Sequence, residues 1–214
     1  MRNIINIYKE YKIMPNLQLH QLTVASVAKQ ICESINIKVD NQSVITACLF
    51  HDMGNIIKFD LNYFPEFNKP EGLEYWQKVQ KEYFEKYGMD EHHATVDIIK
   101  ELNLSRYILD LVNVIDLNKI NNHSNDLSLE EKIVVYVDNR VNPYGVVSLN
   151  ERREDVNKRY KNHPNVVTEE ENFKFVSHLE TFEKEIFCHS DVKPKDITNF
   201  SVKGIIESLK NLEI

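Results

Sequence analysis

His51 and Asp52 stand side by side at the end of an apolar stretch, and His20 and Asp138 lie in apolar stretches of their own. Imidazole and carboxylate groups buried together are costly to leave unpaired, and a divalent cation satisfies both kinds at once. His20 shares a helical face with Val24, Val27 and Ile31, His51 with Val44, Ala47 and Cys48, and Asp138 with Val134 and Val141. Each side chain is therefore expected to point inward. Asp52 lies about 100 degrees around the helix from His51, so the two can bracket an ion at the helix end. Two imidazoles and two carboxylates suit one divalent transition ion, Mn, Fe, Co, Ni or Zn. A buried hydrogen-bonded cluster without metal is the structural alternative.

The elements that must position these groups read as helices almost throughout. Apolar spacing predicts a helix from Leu17 to Ile35, then one capped by Asp40 or Asn41 and stopped at Gly54. The stretch from Asn62 to Pro70, with Tyr63, Phe64 and Phe67, reads as an irregular loop. Residues 71 to 87 read as an exposed, charged helix ending at Gly88. A helix begins near Asp90 or Glu91, and another spans about Ser105 to Asp116. Ser128 and Glu131 form a capping box that opens the helix leading to Asp138. Asn142-Pro143-Tyr144-Gly145 is a turn by composition. Charged helices are expected near 148 to 162 and 168 to 187, and a last one over 200 to 212. The expected architecture is all-α, with a metal-binding helical domain over 1–145 and a C-terminal helical extension, 146–214, packed on it.

The 214 residues suffice for one sizeable domain, and 5 Gly with 6 Pro argue against a turn-rich β architecture. A net charge of -7 disfavours nucleic acid polymers and anionic membranes as partners, though not a small anion. Cys32, Cys48 and Cys188 show no CxxC spacing, which argues against a disulfide scaffold or thiolate zinc site. No signal-peptide core and no run of 18 apolar residues is visible, so a cytoplasmic location is expected.

The order His20, then His51-Asp52, then Asp138 resembles the HD-domain metal-dependent phosphohydrolases. The likeness covers about residues 17 to 145 and is densest in Leu19-His20, Ala47-Cys48-Leu49-Phe50-His51-Asp52-Met53-Gly54 and Ile133-Val134-Val135-Tyr136-Val137-Asp138-Asn139-Arg140. It implies the HD-domain helical bundle, one divalent ion held by His20, His51, Asp52 and Asp138, and hydrolysis of a small phosphate ester, most plausibly a nucleotide. In that chemistry the ion activates a water and polarises the phosphoryl group. Asp52 or Asp138 would help aim the water.

Asn55 occupies the position where the resemblance leads one to expect Lys or a catalytic Glu, and it cannot take a proton. This keeps a second reading open, a metal-containing nucleotide-binding or regulatory module without turnover. Lys58, one turn on, is the nearest replacement for the missing positive charge, or else a solvated surface lysine. His92 is expected as a phosphate ligand or proton donor near a helix N-terminus, with a surface histidine as the alternative. Arg140 either pairs with a carboxylate structurally or grips substrate phosphate. Asp52, His92, Lys58 and Arg140 are thus the candidate catalytic residues. Where the resemblance leads one to expect a further histidine in two-metal members, the segment Val112-Asn113-Val114-Ile115-Asp116 offers only Asp116, which disfavours a two-metal site. Arg152, Arg153, Lys158 and Arg159 alternate with Glu151, Glu154 and Asp155, as on a salt-bridged helix face. The functional alternative has Arg153 or Arg159 reaching back over the pocket. His123, His163, His178 and His189 are expected at the surface, and the oligomeric state is open.

Overall fold

The computed structural model describes residues 2–115, 120, 124–159 and 168–214, with the side chains of Asn125, Glu169 and Glu171 outside the description. Asp116, His123 and His163 lie outside the described residues. The chain folds as an all-α bundle with one two-residue hairpin. Its helices are α1 (Ile4–Glu10), α2 (Pro15–Ser34), α3 (Asn41–Phe50), α4 (Leu73–Tyr87), α5 (Glu91–Glu101), α6 (Arg106–Asn113), α7 (Leu129–Asp138), α8 (Leu149–Arg159), α9 (Glu169–Phe187) and α10 (Asn199–Lys210). The hairpin pairs β1 (Val141–Asn142) with β2 (Gly145–Val146), so the predicted turn joins two short antiparallel strands.

The helix starts follow local chemistry. Asp40, Asp90 and Ser105 accept hydrogen bonds from backbone N–H groups of the first turns of α3, α5 and α6. Ser128 and Glu131 form the expected capping box at α7.

Burial is set by pattern. All of Val44–Phe50 in α3 is buried, as is Ile133–Val137 in α7. Sequences apolar on every side can satisfy all their faces only at the centre, so α3 packs against α2, α6 and α7. This corrects the single-stripe reading of α3. The expectation of an exposed α4 is also corrected, because Trp76, Val79, Tyr83 and Tyr87 are buried. Their three- and four-residue spacing is a core stripe within a charged sequence.

The segment beyond residue 145 shares this core. Leu179, Phe182, Ile186, Val202 and Leu209 join the same buried cluster. The chain ends meet through Arg2 N–H to Ile214 O (3.1 Å) and Ile214 N–H to Arg2 O (3.0 Å).

Gly54 serves a purpose other than helix termination. Its backbone is right-handed, with φ -91. A Cβ there would lie 2.2 Å from the Glu91 carbonyl oxygen and 2.8 Å from the Ala94 Cβ. The Gly54 N–H also donates to Thr95 Oγ1 at 2.9 Å. Only glycine lets α5 come this close to the chain just after His51-Asp52, and that approach brings Glu91 to the same cavity as Asp52.

Candidate metal centre

His51 caps α3, Asp52 follows it, Asp138 ends α7, and His20 projects from the middle of α2. The four side chains converge. Asp138 Oδ1 lies 3.1 Å from His20 Nε2 and 3.3 Å from His51 Nε2. Asp52 Oδ2 lies 3.6 Å from His20 Nε2 and 3.5 Å from His51 Nε2. The ligand atoms of His20, His51 and Asp52 all lie within 4.8 Å of one another, close enough to hold a metal ion, and Asp138 adjoins both imidazoles. Two C-terminal helix ends, those of α3 and α7, supply carbonyl dipoles that favour positive charge at this point.

The tautomer of His51 is set by its surroundings. Nδ1 is 2.8 Å from the Cys48 carbonyl, to which it donates, leaving Nε2 to face the carboxylates. The neighbouring carbonyl of Leu49 accepts from the buried Tyr8 hydroxyl at 2.7 Å. The end of α3 is thereby held by side-chain donors, and the imidazole is fixed in place. The Asp52 N–H donates to Gln21 Oε1 at 3.2 Å, tying the third donor to α2.

Charge balance agrees with a cation. Burial opposes protonation of His51, but the Asp52 charge and the Asp138 hydrogen bond outweigh it and lift its pKa to about 9. Burial would raise Asp138, yet hydrogen bonds from His20 and His51 hold it well below the usual carboxylate range. Without metal, the cluster takes a proton where the ion would supply charge. Among the described residues, no Lys or Arg pairs with Asp52 or Asp138.

His20, Asp52 and Asp138 open onto a cavity of about 570 Å³, within the size range of small-ligand sites. Asn55 and Lys58 line it, as do Tyr63, Phe64 and Phe67. Asn55 is buried, while Lys58 is half-exposed and 3.7 Å from Glu91.

Two expected participants lie elsewhere. Arg140 is buried and donates to Tyr136 Oη, to the Val147 carbonyl and, at 3.1 Å, to the Pro194 carbonyl. It lines a separate cleft, so its structural alternative is the observed one and the substrate-gripping Arg140 is corrected. The cause is direction, since residues two apart on a helix point to different sides. His92 does not line the metal-site cavity; its Nε2 meets Asn113 Oδ1 at 2.9 Å, binding α5 to α6. The expected phosphate-binding His92 is corrected accordingly. His178 and His189 are half-buried, and the His178 ring stacks on Phe182.

Arg159, one of the two arginines expected as able to reach back over the pocket, is among its wall residues, whereas Arg152 and Glu91 were not expected there. Arg152 and Arg159 line the cavity, whereas Arg153 is exposed. Seven-residue spacing puts 152 and 159 on one face, a signal hidden by the density of charge around them. Glu91 lines the cavity as well. It gave no signal, because its place depends on the approach of α5 to Gly54.

The HD domain family pattern matches residues 18–142, more than half of the chain, and the chain belongs to that family. HD domains are divalent-metal-binding proteins of a metal-dependent phosphohydrolase superfamily, and the His20, His51 and Asp52 group can hold such an ion. Comparisons with curated proteins and with solved structures return no match. Among the described residues, no helix is long and apolar enough to cross a membrane.

Proposed function

We propose that this cleft hydrolyses a small phosphate ester, a nucleotide in the first instance, with one divalent transition ion held by His20, His51, Asp52 and Asp138. The observation that carries the reading is that each of two imidazoles lies 3.1–3.6 Å from both Asp52 and Asp138, with His20, Asp52 and Asp138 lining a ligand-sized cavity. A bound Mn, Fe, Co, Ni or Zn ion supplies Lewis acidity toward a phosphoryl oxygen and acidifies a water.

The protein's own groups do the rest. The Cys48 carbonyl keeps the His51 Nε2 lone pair aimed at the site. Asn55 orients polar groups by hydrogen bonding but moves no proton. Lys58 supplies positive charge at the rim, and its partner Glu91 is a wall carboxylate in place to accept or return a proton. Tyr63, Phe64 and Phe67 close one side with apolar surface. Their loop is anchored by the Tyr63 hydroxyl, which donates to the Arg159 carbonyl at 3.1 Å.

Asn55 also favours a second reading, a nucleotide-binding module without turnover, because a buried amide stands where a base is needed. Elemental analysis of gently purified full-length protein, followed by phosphate release from a nucleotide panel with each of the five ions, separates the two. Near-stoichiometric metal and turnover are expected, with Asp52→Ala folded, metal-depleted and slower by about a thousandfold or more. A folded Asp52→Ala protein with full activity would refute the mechanism. Nucleotide binding without phosphate release would select the binding module.

A further inference from the structure

The helix that closes the metal-site cavity lies outside the family-matched residues. α8 spans Leu149–Arg159, beyond position 142, and sends two arginines into the cavity that holds the metal donors. Arg152 and Arg159 are seven residues apart, two helical turns, on one face. Asp155, between them, pairs with both. It lies 3.6 Å from Arg152 Nη1, and accepts from Arg159 Nε at 2.9 Å and from Nη2 at 2.6 Å. Asp155 does not line the cavity; it holds two guanidinium groups that do.

Other contacts fix the same arm. The Arg159 guanidinium lies over the Phe64 ring, 5.9 Å from its centroid, and its carbonyl takes the Tyr63 hydroxyl. The aromatic loop thus supports an arginine. Arg152 Nε is buried without a hydrogen-bond partner among the described residues. Leaving such a donor idle is costly, and with Asp155 3.6 Å from Nη1 the Arg152 guanidinium is only partly satisfied by the described residues.

We infer that Arg152 and Arg159 form a second anion subsite, and that the substrate is a phosphate ester bearing a second phosphate besides the one at the metal centre. The inference rests on reading the cleft as a phosphohydrolase site. Guanidinium groups match phosphate oxygens in forked pairs, and prior immobilisation by Asp155 and Phe64 lowers the ordering cost of binding. A cavity of about 570 Å³ has room for two phosphates with a linking group. A simple salt-bridged face would account for the pairing with Asp155. It does not account for that face being turned to the cavity, with Arg153, one residue round the helix, left in solvent.

Fructose 1,6-bisphosphate and fructose 6-phosphate are probes without a base and differ by one phosphate. Binding of each to full-length, manganese-loaded protein would be followed by calorimetry, alongside phosphate release. The bisphosphate should bind about tenfold tighter or better, and Arg152→Gln and Arg159→Gln should each bring that ratio toward one. Arg153→Gln, which removes the same charge from an exposed site, should keep it. Should Arg159→Gln fail to fold, Arg159→Lys retains charge but loses the fork, and its ratio should still fall. A ratio near one in the unmodified protein, or one retained in folded Arg152→Gln and Arg159→Gln, would overturn the subsite. Absence of phosphate release with every ion would sink the hydrolase reading instead, while the calorimetric ratio still judges the arm.

Discussion

Two clefts of similar size, about 570 Å³ and 490 Å³, lie on either side of the end of α7, and they use charge in opposite ways. In the smaller one Arg140 is consumed: its donors go to Tyr136, Val147 and Pro194, and Tyr136 passes a 2.6 Å hydrogen bond on to Glu183. In the larger one, two imidazoles and two carboxylates face one another with no Lys or Arg pairing among the described residues. Volume does not separate a binding site from a structural joint; convergence of imidazole and carboxylate donors without a Lys or Arg partner does. Asp138 and Arg140, two residues apart, fall on opposite sides of this divide.

The sharpest way to break the contrast is Arg140→Ala. Removing the guanidinium strands the Val147 and Pro194 carbonyls and takes the positive charge from beside Glu183, 3.9 Å away, which among the described residues keeps only its hydrogen bond from Tyr136. A loss of about 3–4 kcal/mol in denaturant unfolding is expected, with metal content retained in the folded fraction. Loss of bound metal from folded Arg140→Ala protein would show that the two clefts are coupled and the division wrong.

A somewhat smaller effect should appear on raising the pH of chelator-treated protein. The folded-state pKa of His51, about 9, exceeds its ordinary value of 6.5. Protonation therefore contributes stability that is full below pH 6.5 and lost as pH rises through about 9. The integrated effect is on the order of 3 kcal/mol. Melting temperature followed across this window should fall in metal-free protein and stay flat in metal-loaded protein, where neutral His51 is the ligand form. A flat profile in both forms would mean that His51 does not share charge with Asp52 and Asp138.

Lys58→Ala should move stability least. The Lys58–Glu91 pair is half-exposed at 3.7 Å, and such pairs contribute roughly 0–1 kcal/mol. Its expected consequence is a weaker KM for phosphate esters with little change in melting temperature. A large thermal loss would reassign Lys58 to the structural side of the comparison.

Much of the fold was legible because its signals are local. The caps at Asp40, Asp90, Ser105 and Ser128 depend on residues within one turn, and each appears in the structure. Charge density hid two patterns that rested on spacing, the aromatic stripe of α4 and the arginine pair of α8. Gly54 was misread for another reason. Glycine after a helix commonly ends it, and the crowding by α5 that requires glycine here comes from a segment some forty residues away.

The sequence by itself determined most of the helices, the inward faces of α2 and α7 and the kinds of donor available, since these follow from residue type and a 3.6-residue period. It placed His20, His51, Asp52 and Asp138 among the candidates because buried imidazole and carboxylate groups need a partner. Only the tertiary structure decided that both imidazoles come within 3.6 Å of both carboxylates, that Arg140 and His92 turn elsewhere, and that Arg152, Arg159 and Glu91 share the cavity. The reason is distance along the chain. The contacts of Asp138 with His20 and His51 span 118 and 87 residues, and no periodicity within one helix specifies how it is rotated against another.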